Sequence, residues 1–592
     1  MHVLGVSCYY HDAAAALLRD GVLVAAAEEE RFSRVKHDYS FPRNSIRFCL
    51  EQGGIKGEDL DYVVFFEKPF RKFDRILMTA LQTYPQSGGV FRESMISWMI
   101  DKLWVGMTLR TELGVDKERI LFCEHHLSHA ASAFLCSPFE EAAILTVDGV
   151  GEWATTTCGI GRGNDVQLRT QIEFPHSIGL LYSAFTAFLG FEVNEGEYKV
   201  MGMAPYGVPR YADKVWKLVR QNGDGSFSLD MDYFCFHRSV NQTYSPKFVA
   251  LFGEPRPGKL QFFTRKTGFP KYFGSPPGNY HELCDLNQHY ADVAASIQQV
   301  TEELLLNMAN HLYRETGLKR LCIAGGVGLN SVANARILNE TPFEQLFVQP
   351  AAGDAGGALG AALWAYNSVL GKPRSFVMRH ASWGRANSNA EISDFLDDNA
   401  VPFRHFDDDD ELLDQVVDRL MQGKVVGWSQ GRFEWGPRAL GNRSILADPG
   451  NPGMKDIINA KIKFREPYRP FAPSVLAQCA EKYFDLPQAP CHDPARYMLY
   501  VVPVRESHRS TLPAITHVDG TARPQTVFRE QSPRFYDLIE RFGQATGVPV
   551  VLNTSFNLKG EPIVNTPAEA YFTFARSEMD ALVLENVLID KA

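Results

Sequence analysis

Two histidines one helical turn apart, His125 and His129 in Cys123-Glu-His-His-Leu-Ser-His129, precede a glycine-flanked aspartate, Asp148-Gly149-Val-Gly151. Residues at i and i+4 share a helix face, so both imidazoles can reach one metal ion. Asp148 closes the apolar run Ala142–Val147, which reads as a buried strand, and Gly149 and Gly151 free the next turn for close approach of phosphate. Asp354 lies in a comparable turn, Pro350-Ala-Ala-Gly-Asp354-Ala-Gly-Gly, after the apolar run Leu346–Gln349. An isolated His-x-x-x-His is more often an ordinary pair of side chains; two aspartates at strand-end turns reverse that weighting. Two imidazoles and two carboxylates suit a divalent ion such as iron, zinc or manganese, and lack the thiolates of a structural zinc site. Such an ion would polarise a carbonyl and help neutralise phosphate, which points to transfer of a nucleotide-activated group.

Other residues extend that chemistry. In Tyr9-Tyr10-His11-Asp12, a histidine of near-neutral pKa could accept a proton from an acceptor hydroxyl, against the plainer reading of a solvated turn residue. The run Glu28–His37 reads as a solvated charged face, with Lys36 alternatively touching a phosphate or carbonyl oxygen. Near the C-terminus, Gly431–Ser444 combines glycine turns with Arg438 and Arg443. Lys461-Ile-Lys463-Phe-Arg465, Arg469, Arg523 and Asn553-Thr-Ser555-Phe-Asn557 add cations and short hydrogen-bonding groups. Residues 424–469 hold nine Lys and Arg against four Asp and Glu, inside a chain of net charge −10. Any one of these arginines alone would be read as a surface salt-bridge partner, but their clustering among glycine and proline turns marks an anion site.

The elements that must position these groups are legible as patterns. Val3–Ser7, Ala13–Leu18 and Val22–Ala27 read as strand, turn, strand, turn, strand, and residues 142–170 repeat the plan. That repetition predicts a duplicated α/β fold clamping a ligand between its halves, as in actin and the sugar kinases. Val293, Ile297, Val300, Leu304, Met308 and Leu312 predict an amphipathic helix stopped by Gly317. Strand Leu321–Ala324 runs into Gly325-Gly326-Val-Gly-Leu-Asn330, and helix N-termini after such loops present N–H groups to anions. Residues 370–388 read as a linker. Two insertions, helical 69–118 and loop-rich, aromatic 222–283, are expected to shape the acceptor pocket or make oligomer contacts.

Composition narrows the classes. At 592 residues two or three domains are expected, and 45% hydrophobic with 22% charged residues fits a globular enzyme. The acidic balance argues against a nucleic-acid partner. No signal peptide and no membrane span of about 18 apolar residues is read, and ten cysteines without a Cys-x-x-Cys pair fit a cytoplasmic chain.

The set His11-Asp12, Glu28-Glu-Glu-Arg-Phe, His125-His-x-x-His129, Asp148-Gly-x-Gly-Glu152, Gly325-Gly-Val-Gly-Leu-Asn330, Gly436-Pro-Arg-Ala-Leu-Gly441 and Asn553-Thr-Ser-Phe-Asn557 closely resembles the O-carbamoyltransferases of nodulation-factor, cephamycin and tobramycin biosynthesis. The resemblance implies an N-terminal actin/Hsp70-like domain over 1–370, similar to the tRNA threonylcarbamoyl transferase, and a YrdC-like α/β domain over 371–592. It implies that carbamoyl phosphate and ATP, the latter with Mg2+, yield carbamoyl adenylate in the second domain. The carbamoyl group then passes to a hydroxyl of a small-molecule natural product or sugar in the first.

By motif position, His125, His129, Asp148 and Asp354 would hold the metal, Fe2+ first with Zn2+ or Mn2+ as alternatives. Lys36, Gly326 and Asn330, with His129, Asp148, Gly149 and Gly151, would contact the adenylate, Lys36 doubling as a catalytic residue, and His11 would face the acceptor. Arg438, Arg443, Lys463, Arg469, Arg523, Asn553 and Ser555 would hold carbamoyl phosphate or ATP. The rival readings are carbamoylation of a protein thiol or a tRNA-type acceptor, and a non-catalytic nucleotide-binding regulator. A homodimer is left open, and the acceptor itself is not named by any pattern.

Overall fold

A computed structural model describes the whole chain except residues 101, 240, 488–492 and 592. The chain divides into two units. Unit 1 comprises Met1–Glu29, His37–Arg265 and Asn279–Met378; unit 2 comprises Glu30–Lys36, Lys266–Gly278 and the chain from Arg379 onward.

Unit 1 contains two five-stranded sheets of one topology. The first has β1 (His2–Ser7), β2 (Ala14–Arg19), β3 (Val22–Glu28), β4 (Tyr62–Phe65) and β5 (Ile120–Phe122), in the order β3-β2-β1-β4-β5. Strands β1, β2 and β3 form an antiparallel meander, while β4 and β5 run parallel to β1. The second sheet opens with β6 (Glu141–Val147), β7 (Ala154–Arg162) and β8 (Asp165–Glu173). After a separate short hairpin, β9 (Val219–Gln221) and β10 (Phe227–Leu229), it is completed by β11 (Arg320–Ala324) and β12 (Gln345–Val348). Its order, β12-β11-β6-β7-β8, repeats the first sheet with β6 in the place of β1. Again the meander is antiparallel and the last two strands are parallel to the central one. The duplicated α/β plan expected of an actin/Hsp70-like domain is therefore present. Central strands β1 and β6 are buried nearly throughout, which requires uninterrupted apolar runs in place of alternation.

Helix Asp354–Leu363 packs between the first sheet and helix His125–Phe134. Its small residues permit this: a Cβ on Gly360 would lie 1.8 Å from the Ser128 carbonyl oxygen, and one on Gly5 1.8 Å from that of Ala358. The close approach brings the first residue of that helix, Asp354, to the histidine face of its neighbour. The helix expected over Val293–Leu312 extends over Tyr280–Thr316, 37 residues, and ends at Gly317 with φ 64°. Its first half escapes a hydrophobic pattern because Asn287 and Asp292 are buried there among apolar residues. Insertion 69–118 is helical as expected, with Pro69–Gln82, Gly88–Ile100 and Val105–Leu113. Insertion 222–283 is mostly irregular, and its short helix Pro246–Phe252 packs Phe248 and Phe252 edge-on against Phe185 and Phe188.

Unit 2 is built on a mixed eight-stranded sheet. Its strands are β13 (Arg404–His405), β14 (Val426–Ser429), β15 (Arg443–Ala447), β16 (Ala472–Leu476), β19 (Gln525–Val527), β20 (Val550–Ser555), β21 (Ala581–Leu584) and β22 (Val587–Asp590); β17 (Val502–Pro503) and β18 (Thr521–Ala522) form a separate pair. The order is β13-β22-β21-β14-β15-β20-β16-β19. Helices Asp409–Met421 and Pro533–Thr546 cover one face, with Leu412, Val416, Leu538 and Phe542 in one buried cluster with Trp428, Leu446 and Val551. Among the described residues no helix is long and apolar enough to cross a membrane, and nine cysteines are unbonded.

Candidate functional site

His125 and His129 lie on the buried face of helix His125–Phe134, with Asp148 just after β6 and Asp354 opening its helix. The structure brings all four together: one ligand atom from each lies within 4.8 Å of every other. The two Nε2 atoms are 3.1 Å apart. Asp148 Oδ2 lies 3.1 Å from that of His125 and 3.8 Å from that of His129, and Asp354 Oδ1 lies 3.7 Å from both. Ligands at about 2.1 Å from a tetrahedral cation stand about 3.4 Å apart, so these spacings fit a cation at the centre. The residue types fit too: two imidazole nitrogens and two carboxylate oxygens converge on one point, a mixed donor set suited to a divalent ion. Burial opposes charge on His129, but the two carboxylates outweigh it and push its pKa up to about 9.

The supports around the cluster are specific. Gly326 N–H donates to Asp148 Oδ1 at 2.9 Å, leaving Oδ2 for the centre. Glu152 accepts from the His125 N–H at 3.0 Å and from the Lys68 N–H at 2.8 Å, tying the histidine helix by its positive end. Gly151 has a packing reason that its sequence does not show: a Cβ there would lie 2.9 Å from the His125 ring, so the absence of a side chain admits the imidazole. At Gly149 the nearest neighbour of a Cβ would be the Tyr10 hydroxyl at 3.7 Å. Asn330 caps helix Ser331–Glu340, accepting from the Ala333 N–H at 3.2 Å, and its amide exchanges hydrogen bonds with Gln298.

His11 departs from the near-neutral base expected. Its Nδ1 lies 2.6 Å from Asp12 Oδ2 and its Nε2 2.7 Å from the Asn194 carbonyl oxygen, so both nitrogens are engaged. Burial works against charge, yet Asp12 outweighs it and the pKa is pushed up to about 10. His37 shares the same carboxylate, Nδ1 to Oδ1 at 2.9 Å. Tyr9, His37 and Asn194 all have positive φ, so the turn around His11 holds three non-glycine residues in the left-handed region.

The predicted cations of the C-terminal half gather in unit 2, with one exception. Burial forces Arg523 well below its ordinary pKa, helped by the charges of Arg438, Arg465 and Arg469. Lys463 is likewise driven down by burial, then by Arg465, Arg469 and Lys36. Several cations held side by side, against burial and their own repulsion, suit a site for a polyanion. Lys36 thus belongs to this cation field. Its segment, Glu30–Lys36, is pinned to unit 2 by Arg34, which donates to the Ile563 and Pro562 carbonyls at 2.7 and 2.8 Å, and by Arg31, which donates to that of Gly436 at 2.8 Å.

The exception is Arg443, whose expected ligand contact is corrected here. It is fully buried and donates to the carbonyls of Gln430, Gly431, Asn442 and Arg385, because it pins the loop preceding β15. Lys463 also spends its ammonium within the protein, on Ser555 and Asn557 oxygens. Asn553 forms part of a buried polar floor with Ser474 and Gln525.

Several residues escaped the sequence reading. Glu434 is wholly buried and accepts from the N–H groups of Leu440 and Asn442 at 2.6 and 2.8 Å, shaping the loop that carries Arg438. Gln525 fixes the same loop through the Leu440 carbonyl at 2.7 Å. Nothing in spacing marks them; only their loop partners do.

Comparison with known proteins agrees with this geometry. The model "Carbamoyltransferase N-terminus" matches residues 2–363 and "Carbamoyltransferase C-terminus" matches residues 417–591. The protein sll1178 of Synechocystis sp. is 47% identical over 624 residues, covering 100% of this chain and 97% of that one. The nodulation protein NolNO of Sinorhizobium fredii is 38% identical over 597 residues, covering 98% and 79%. The 3'-hydroxymethylcephem-O-carbamoyltransferase of Amycolatopsis lactamdurans is 39% identical over 249 residues, covering 41% and 44%. The chain is an enzyme that belongs to the carbamoyltransferase family.

Proposed function

We propose that this chain is an ATP-dependent O-carbamoyltransferase that forms carbamoyl adenylate in unit 2 and transfers the carbamoyl group, in unit 1, to a hydroxyl of a small-molecule natural product or sugar. One observation carries the reading: a two-imidazole, two-carboxylate cluster in a duplicated nucleotide-fold unit is accompanied, in the same chain, by a half-buried cation field in the other unit. The names of the cephem relatives support a hydroxyl acceptor.

The steps balance as follows. Carbamoyl phosphate and water give carbamate and phosphate; the carbamate oxygen attacks the α-phosphorus of Mg2+-bound ATP, and pyrophosphate leaves. The acceptor oxygen then attacks the carbamoyl carbon, the bond to AMP breaks, and the hydroxyl proton is lost. Arg438, Arg465, Arg469, Arg523 and Lys36 bind and neutralise the phosphates of the first step. Arg443 is not included. Asp148, oriented by the Gly326 N–H, and Asp354, His125 and His129 would hold the divalent ion, Fe2+ being the proposed identity. When bound there it supplies Lewis acidity towards a carbonyl or phosphoryl oxygen. A mixed anhydride with AMP gives the carbamoyl group a large handle, whose remote binding energy positions the reacting carbon. Incubation with ATP and carbamoyl phosphate is expected to yield AMP and pyrophosphate. ADP as the sole nucleotide product would instead indicate a kinase-like ATPase.

His11 is assigned the acceptor proton, and its geometry sets a pH dependence. A group of pKa about 10 is unprotonated in about one molecule in a thousand at pH 7. General-base action needs that form, so kcat/KM for the acceptor should rise about tenfold per pH unit up to about pH 10. In His11→Gln the profile should flatten at a low rate. A wild-type profile already flat from pH 7 to 9 would remove His11 from this role.

A further inference from the structure

Helix Pro69–Gln82 is amphipathic the wrong way round. It buries Lys72 and Arg75, three residues apart on one face, and exposes Phe70 and Leu81. Lys72 has a full set of company: its Nζ is 2.5 Å from Glu67 Oε2 and 4.1 Å from the centre of the Tyr10 ring. Arg75 does not. It is 7% exposed, it stacks over Phe174 at 5.0 Å, and Nη1 is buried without a partner. Among the described residues no hydrogen bond or ion pair reaches its guanidinium. A buried, unpaired guanidinium is expensive, and a fold with no use for it would be more stable with an apolar side chain.

Its place explains it. Tyr10, whose ring carries Lys72, puts its hydroxyl against the Asp148–Gly149 turn. Both Asp148 and Arg75 lie within electrostatic reach of that hydroxyl. Arg75 follows Lys72 by three residues on the same buried helix face, so it stands on the side of unit 1 where Tyr10 meets the Asp148–Gly149 turn, and its rigid guanidinium fork suits an oxyanion. The helix it stands on belongs to the first insertion.

We propose that Arg75 is the docking group for an oxyanion of a substrate bound beside the His125–His129–Asp148–Asp354 cluster, with the Phe174 ring holding the plane of the guanidinium and Lys72 of the same helix face, paired with Glu67, fixing Tyr10. The oxyanion is either the phosphoryl group of the adenylate or an anionic substituent on the acceptor. This rests on unit 1 being the carbamoyl-transfer unit.

The test is titration of the full chain, wild type and Arg75→Met, in an Arg438→Ala background that weakens the competing anion site of unit 2. The probes are AMP, adenosine, inorganic phosphate and glucuronate, with the thermal midpoint as a second readout. Met keeps the volume and removes the charge, so the midpoint should hold or rise, which a merely structural arginine would not allow. Loss of about tenfold or more in AMP affinity with adenosine unchanged assigns the nucleotide phosphate. A similar loss for phosphate and glucuronate with AMP unchanged assigns an acceptor-borne anion. Unaltered binding of every probe, or a lowered midpoint, overturns the proposal. Because no carbamoyl transfer is measured, these outcomes are separate from failure of the proposed reaction.

Discussion

His125→Ala is expected to abolish carbamoyl transfer while leaving AMP and pyrophosphate formation intact. His125 holds the cluster together more than any other member, because its Nε2 lies within 3.7 Å of His129, Asp148 and Asp354 at once. Its removal leaves one imidazole facing two carboxylates, a set with one nitrogen donor fewer for a borderline ion. Bound metal should fall in proportion, measured by elemental analysis of the purified protein. A Lewis acid contributes several kcal/mol of charge stabilisation, so transfer should drop about 10^3-fold or more. The backbone N–H of residue 125 still donates to Glu152, so the helix start survives the change. Loss of both half-reactions together in a folded variant would refute the assignment of the two steps to different units.

The four-residue cluster and the fold were legible in the sequence for one reason: each member of the cluster ends or begins a strongly patterned element. Asp148 closes a seven-residue buried strand, Asp354 opens a helix of small residues, and the two histidines repeat at the helical period. The repeated meander likewise announced two sheets of one topology. What stayed hidden is whatever depends on contacts across long sequence separations. Glu434 and Gln525 serve the loop of Arg438 through backbone groups, so their types carry no mark. Gly151 reads as a phosphate glycine, and its contact with the His125 ring shows only in the structure. Arg443 sits in a run of well-spaced cations, but its four carbonyl partners are invisible without coordinates. The His11 pKa depends on Asp12 beside it and on the Asn194 carbonyl 183 residues away; the first could be read from the sequence, the second could not. Lys36 is the most instructive, because it ends a seven-residue segment, Glu30–Lys36, that belongs to unit 2 while the chain on either side of that segment belongs to unit 1.

Arg438→Ala should have the opposite effect to His125→Ala. The loop bearing Arg438 is fixed from below by Glu434 on the Leu440 and Asn442 N–H groups, and by Gln525 and Asn553 on the Leu440 and Ala439 carbonyls. None of these supports uses the Arg438 side chain, so the loop should keep its shape without it. What is lost is one guanidinium from a field that includes Arg465, Arg469 and Arg523. A bidentate contact to phosphate comprises two charge-assisted bonds of about 1.5–3 kcal/mol each, so adenylate formation should fall roughly 10^2- to 10^4-fold. The free protein should be as stable as wild type or slightly more, since one of several repelling cations has gone. Release of pyrophosphate measures the first effect, and the thermal midpoint the second. Preformed carbamoyl adenylate should restore transfer to the acceptor in this variant and fail to do so in His125→Ala. That crossed pattern cannot arise if a single composite site performs both steps, so a variant that stays inactive despite the supplied intermediate would return the chemistry to one centre.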